Sequence, residues 1–113
     1  DVVLRQLSHL LDSYCPEKGI AGRYGGEEFV LLLPNIPLKQ AERLGERIRS
    51  ACADQHFVYR DHPVFHVTLS LGVASSDQAS TVFEAVQKAD LALYEAKQSG
   101  RNRVIAYRDP SLR

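Results

Sequence analysis

The chain is predicted to be a single α/β domain on two observations. Stretches with apolar residues at helical spacing alternate with short β-rich apolar runs, and glycines and prolines punctuate each change of period. The 113 residues suit one domain, and 44% hydrophobic with 25% charged residues is the composition of an ordinary soluble globular protein. No repeat or low-complexity segment interrupts the alternation, and the polar tail Arg108 to Arg113 is the only stretch that reads as lying outside it.

Taken in order, Val3, Leu4, Leu7, Leu10, Leu11 and Tyr14 recur at helical spacing until Pro16 to Gly19 breaks the helix. Ile20 to Tyr24 and Glu28 to Leu33 read as two strands of a hairpin. The second is apolar on both faces and is expected to be covered on both. Pro37 suits a first helical position, and Leu38, Ala41, Leu44, Ile48 and Ala51 form one stripe of a long helix that Gly45 weakens slightly. Phe57-Val58-Tyr59 and Val64-Phe65-His66 flank a turn and read as a second hairpin, leading into a strand from Val67 to Ala74 whose apolar residues alternate with small ones. Thr81 and Glu84 stand at capping-box spacing before a helix with Val82, Val86, Ala89, Leu93 and Ala96 along one side. Gly100 stops it, and Val104 to Tyr107 is a short closing strand.

Lysine plus arginine equal aspartate plus glutamate at 14 each, so no net field draws the chain to nucleic acid or to an anionic membrane. Any phosphate binding has to be local. Cys15 and Cys52 stand in no metal or redox spacing and read as reduced packing residues of a cytoplasmic protein. No signal peptide or membrane-spanning stretch is present, which leaves any membrane anchorage to whatever precedes Asp1.

The most informative segment is Gly25-Gly26-Glu27-Glu28-Phe29, between Tyr24 and the run Val30 to Leu33. Paired glycines tolerate the positive φ of a tight hairpin turn and let a bulky ligand lie against the backbone. Adjacent glutamates in extended chain point to opposite sides, offering a hard divalent cation a carboxylate and a nearby carbonyl. An exposed hairpin with two solvated glutamates accounts for these five residues equally well.

Laid along the whole chain, the segments resemble the GGDEF family of diguanylate cyclases, here with the variant motif GGEEF. Asp1-Val2-Val3-Leu4 is similar to the start of that family's second helix and Arg23-Tyr24 to the lead-in to its glycines. Thr68 to Ala74 resembles its following strand, and Ala89-Asp90, Ala92-Leu93-Tyr94, Ala96-Lys97 and Gly100-Arg101-Asn102 its last helix and turn. The resemblance implies a palm-like nucleotide-cyclase fold, a mixed central sheet surrounded by helices. It also implies that residues 1–113 are the C-terminal two-thirds of such a domain, without its first strand, which is central, and its first helix. The isolated stretch is therefore expected to be inactive, and either unstable or associated through exposed strand edges.

The resemblance further implies condensation of two GTP into cyclic di-GMP with release of two pyrophosphates, in bacterial second-messenger signalling. Glu27 and Glu28 are the implied catalytic residues and ligands of Mg2+ or Mn2+. Gly25 and Gly26 admit the nucleotide, Asp1 accepts from guanine, and Lys97 with Arg101 holds the triphosphate. Asp1 also suits a helix N-cap, a role compatible with the first. Lys97 and Arg101, four apart, are expected to project from one side of the final helix, where the dipole favours cations in any case. Asp90 reads as structural, Arg23 as a surface ion-pair residue, and His9, His56, His62 and His66 as converging on no cluster. Catalysis implies a homodimer, since one domain holds one GTP, and a fused upstream sensor or receiver domain is expected. The alternative is a catalytically inactive GGDEF domain that binds GTP or cyclic di-GMP as a regulatory or dimerisation module. Many family members carry an Arg-x-x-Asp product site before the glycines, and the corresponding positions here are Pro16 and Gly19.

Overall fold

The computed structural model describes residues 2–25 and 28–109. The elements run α1 (Val2–Tyr14), β1 (Ile20–Gly25), β2 (Glu28–Leu32), α2 (Leu38–Asp54), β3 (Leu71–Val73), a 3-10 turn at Ser76–Gln78, α3 (Val82–Gln98) and β4 (Val104–Ala106). The predicted order therefore holds. The sheet, however, is two separate pairs: β1 with β2 antiparallel, and β3 with β4 parallel, joined by the α3 crossover.

Helix α1 buries Leu7 and Leu11 of its expected stripe, whereas α2 buries Ile48 together with Gly45 and Cys52, which lie beside the expected stripe, and leaves Leu38, Ala41, Leu44 and Ala51 half-buried. Pro37 sits one position earlier than predicted, at the N-cap of α2, where its carbonyl accepts from the Ala41 N–H at 3.0 Å. Arg47 lies 5.5 Å from the centre of the Tyr14 ring and ties the two helices together at the surface. Between them, Leu7, Cys52 and Phe57 form a core on which Phe29, Phe65, Val67 and Leu69 pack. Phe29 thus anchors the β1–β2 hairpin to the helical layer.

The second hairpin is shorter than predicted. Only Phe57 and Phe65 pair, exchanging backbone hydrogen bonds of 2.9 and 3.1 Å with their rings stacked at 6.2 Å. At the next residue the Gln6 amide substitutes for a strand, donating to the Val58 carbonyl at 2.9 Å and accepting from the Val58 N–H at 3.3 Å. Val67 and Leu69 keep the predicted inward alternation, yet the ladder begins only at Leu71, because β4 supplies partners for three residues and no more. The 3-10 turn was not anticipated. It is held by a Ser75–Gln78 capping box, and Gln78 also donates to the Tyr107 carbonyl at 2.9 Å.

Helix α3 starts as predicted, with Thr81 Oγ1 accepting from the Glu84 N–H at 3.0 Å; the Glu84 carboxylate takes the Ser80 N–H at 3.2 Å instead of that of Thr81. Its buried line is Ala92 and Ala96, whereas Val82, assigned to that side from sequence, is 61% exposed. Small residues are needed there because α3 lies directly on β3. A Cβ at Gly72 would sit 2.0 Å from the Ala89 carbonyl oxygen and 2.3 Å from the Leu93 nitrogen. The opposite side of the pair is close but less tight, for a Cβ at Gly45 of α2 would meet Val104 Cγ1 at 3.3 Å and Leu71 Cδ2 at 3.7 Å.

These two glycines make opposite predictions. Gly72→Ala forces backbone against backbone and is expected to cost about 3 kcal/mol or more. Gly45→Ala meets side chains that can shift and gains helix propensity, so it is expected to change stability by less than about 1 kcal/mol in either direction. Denaturant unfolding of the two variants checks the contrast.

Candidate nucleotide-binding site

Of the residues singled out from sequence, Gly25 closes β1 and Glu28 opens β2, paired across the hairpin by their backbones. The register shifts between Arg23 and Gly25, a bulge-type irregularity that ends regular pairing next to the motif. Gly26 and Glu27, which join the two strands in sequence, and Asp1 lie outside the described residues. The described part of the hairpin rests on α1, where Ser8, Leu11 and Asp12 line a cleft with Ala21, Gly22 and Phe29.

The cations are positioned by the end of α3. Lys97 stands in its last turn and is half-buried. Arg101 does not continue the helix, contrary to the i,i+4 reading, because the helix ends at Gln98 and Gly100 takes φ +126°. The Arg101 N–H closes back onto the Ala96 carbonyl at 2.9 Å, a six-residue terminal loop of the Schellman type. Arg101 and Asn102 follow at φ +62° and +48°, so three consecutive residues have positive φ. Among the described residues neither Lys97 nor Arg101 makes a side-chain hydrogen bond or an ion pair.

Among the described residues no three His, Cys, Asp or Glu side chains come together to hold a metal. Two of the four histidines do meet, which the sequence reading missed: His56 and His66 flank the Phe57–Phe65 pair and contact edge to face at 5.0 Å. The hairpin register contained that signal. His66 Nδ1 is 3.1 Å from the Ala53 carbonyl oxygen. Cys15 and Cys52 are both free thiols, and burial pushes the Cys52 thiol up, which suits a packing residue and not a nucleophile. An open cleft of about 880 Å³ between the start of α1 and the 59–65 turn is lined by Arg5, Tyr59, Arg60 and Phe65 among others and by none of the described site residues.

With this arrangement in view, the family model "Diguanylate cyclase, GGDEF domain" matches residues 1–103. The chain belongs to the GGDEF-domain family. It is 45% identical over 107 residues to diguanylate cyclase DgcM of Escherichia coli K12, covering 94% of this chain and 25% of that protein. It is 39% identical over 105 residues to diguanylate cyclase A of Treponema denticola, covering 92% and 28% respectively. The chain thus spans about a quarter of the length of either relative. Among solved structures, the GGDEF domain of DgcB from Caulobacter crescentus in complex with cyclic di-GMP superposes with a TM-score of 0.86 at 29% identity, over 93% of this chain and 63% of that one. The active GGEEF domain of a diguanylate cyclase from Vibrio cholerae, which has the same motif variant, gives 0.77 at 32% identity over 95% and 67%. The palm-like α/β fold of the GGDEF family is therefore the fold of this chain. Among the described residues no helix is long and apolar enough to cross a membrane.

Proposed function

We propose that this GGDEF domain, within its full-length protein, is a diguanylate cyclase that condenses two GTP into cyclic di-GMP. The observation that carries the reading is the intact Gly25-Gly26-Glu27-Glu28 motif between two antiparallel strands, in a chain that also has two cations at the end of α3 without an ion-pair partner among the described residues. A domain that served only for dimerisation would need neither. A strand and helix preceding Asp1 complete the domain in this reading, and the absence of hydrogen bonding between the two described strand pairs leaves edges for such a strand.

The donor chemistry of the motif fits a hard divalent cation. Glu27 and Glu28 would hold Mg2+ or Mn2+, with an aspartate of the preceding segment supplying the remaining charge. When bound, the cation acidifies the attacking 3′-hydroxyl and offsets charge on the α-phosphate. The chain's own residues do the rest. Gly25 and Gly26 present no side chain to the nucleotide, and Asp1 accepts from the guanine edge. Lys97 and Arg101 bind the β- and γ-phosphates and stabilise the charge that develops on the departing pyrophosphate. Each hydroxyl attacks the other nucleotide, so two domains face each other in a homodimer.

In the full-length protein, Glu27→Gln removes a charge and little volume, and is expected to lower cyclic di-GMP synthesis by about a hundredfold or more with unchanged folding. Lys97→Ala is expected to weaken GTP binding as well as rate, since a phosphate contact exists before the transition state and in it. Turnover and GTP affinity measured side by side separate the two. Near-normal synthesis by Glu27→Gln would favour a binding module without turnover.

Product feedback provides a second test. Pro16 and Gly19 close a tight turn, with the Gly19 N–H donating to the Pro16 carbonyl at 2.8 Å, and neither offers the bidentate contacts of arginine and aspartate. Synthesis is expected to be insensitive to product through that turn. Inhibition by cyclic di-GMP that disappears on changing Glu17 and Lys18 would contradict this.

A further inference from the structure

The turn carrying Arg101 has a conformation that its own sequence does not favour. Gly100 adopts positive φ freely, but Arg101 and Asn102 are two consecutive L-residues in the left-handed region, which persists only when surrounding groups hold it. The holding groups come from three directions. The Asn102 N–H donates to Ser70 Oγ at 3.2 Å, and Arg103 Nε donates to the Arg101 carbonyl at 3.0 Å. The third hold comes from α2, a distant part of the chain: Arg49 Nη1 donates to Asn102 Oδ1 at 2.8 Å.

Arg49 is itself fixed. Its Nε donates to both Glu46 oxygens, at 3.0 and 2.9 Å, and the side chain is only 20% exposed against 54% for Glu46. The carboxylate of Glu46 is held below its usual pKa by that hydrogen bonding, so the pair is ionised at neutral pH. An exposed ion pair of this kind adds little stability. Its geometry does something else: with one edge of the guanidinium on Glu46, Nη1 is aimed at the Asn102 amide, one residue from a cation that has no partner of its own among the described residues.

We infer that Arg49, oriented by Glu46, is a positioning residue for nucleotide binding: by holding Asn102 it fixes the left-handed turn and sets the direction in which Arg101 is presented. The inference rests on the triphosphate role proposed for Arg101. Arg49 touches no phosphate and acts only through the turn.

The experiment uses the full-length protein and measures KM for GTP, kcat and thermal stability for Arg49→Ala, Asn102→Gly, Arg101→Ala and the double variant Arg49→Ala/Arg101→Ala. Arg49→Ala is expected to raise KM for GTP about five- to tenfold, the weight of one hydrogen bond, with a smaller change in kcat. Asn102→Gly, which tolerates positive φ but offers Arg49 nothing to hold, is expected to raise KM by a similar factor and serves if Arg49→Ala folds poorly. The double variant is expected to be no worse than Arg101→Ala alone, because a residue acting through Arg101 has nothing to position once it is gone. A KM unchanged by both Arg49→Ala and Asn102→Gly, or additive losses in the double variant, overturns the positioning role while leaving the cyclase reading in place. A normal KM in Arg101→Ala would instead remove the triphosphate role itself, and this inference with it.

Discussion

The close seating of α3 on Gly72 is the constraint from which the arrangement of the site follows. With the Ala89 carbonyl and the Leu93 backbone where a Cβ at position 72 would be, the helix axis has little freedom to rise or slide over β3. Gly45 brings α2 in from the other side, so the short β3–β4 pair is clamped between two helices by residues that have almost no side chain to adjust. A three-residue parallel ladder would be marginal alone. Its rigidity comes from this clamping, and the end of α3, with Lys97 and the turn to Asn102, inherits it.

The other half of the site depends on different contacts. The β1–β2 hairpin shares no hydrogen-bonded strand with β3–β4 and is fixed through Phe29 on the core of Leu7, Cys52 and Phe57. The hairpin that carries Gly25 and Glu28 and the helix end that carries Lys97 and Arg101 are thus separate substructures. This division leaves the helical layer to connect the two, through Phe29 on one side and Arg49 on the other. It also gives α2 a double role, with Ile48 and Cys52 in the core and Arg49 on the turn that presents Arg101.

Much of this was legible in the sequence because it depends on local rules. Apolar spacing located all three helices, the glycine pair marked the first hairpin, and Thr81 with Glu84 marked the start of α3. What escaped depends on tertiary partners. The strand from Val67 shortens because β4 reaches only to Leu71, and the second hairpin ends where Gln6, more than fifty residues away, takes over the backbone of Val58. Arg101 was placed on a helix face because helical spacing does not say where a helix stops, although Gly100 offered the clue. The family resemblance rested on motifs, and the match over residues 1–103 agrees with it; the bond from Arg49 to Asn102 followed from neither motif nor periodicity.

The central claim is that hairpin and turn together form one nucleotide site. A crystal structure of the full-length protein with a non-hydrolysable GTP analogue and Mg2+ tests it most directly. The β- and γ-phosphates are expected against Lys97 and Arg101, the cation on Glu27 and Glu28, and the ribose over Gly25 and Gly26. A nucleotide seated in the cleft between Arg5 and Phe65, or phosphates that leave Lys97 and Arg101 untouched, would contradict it.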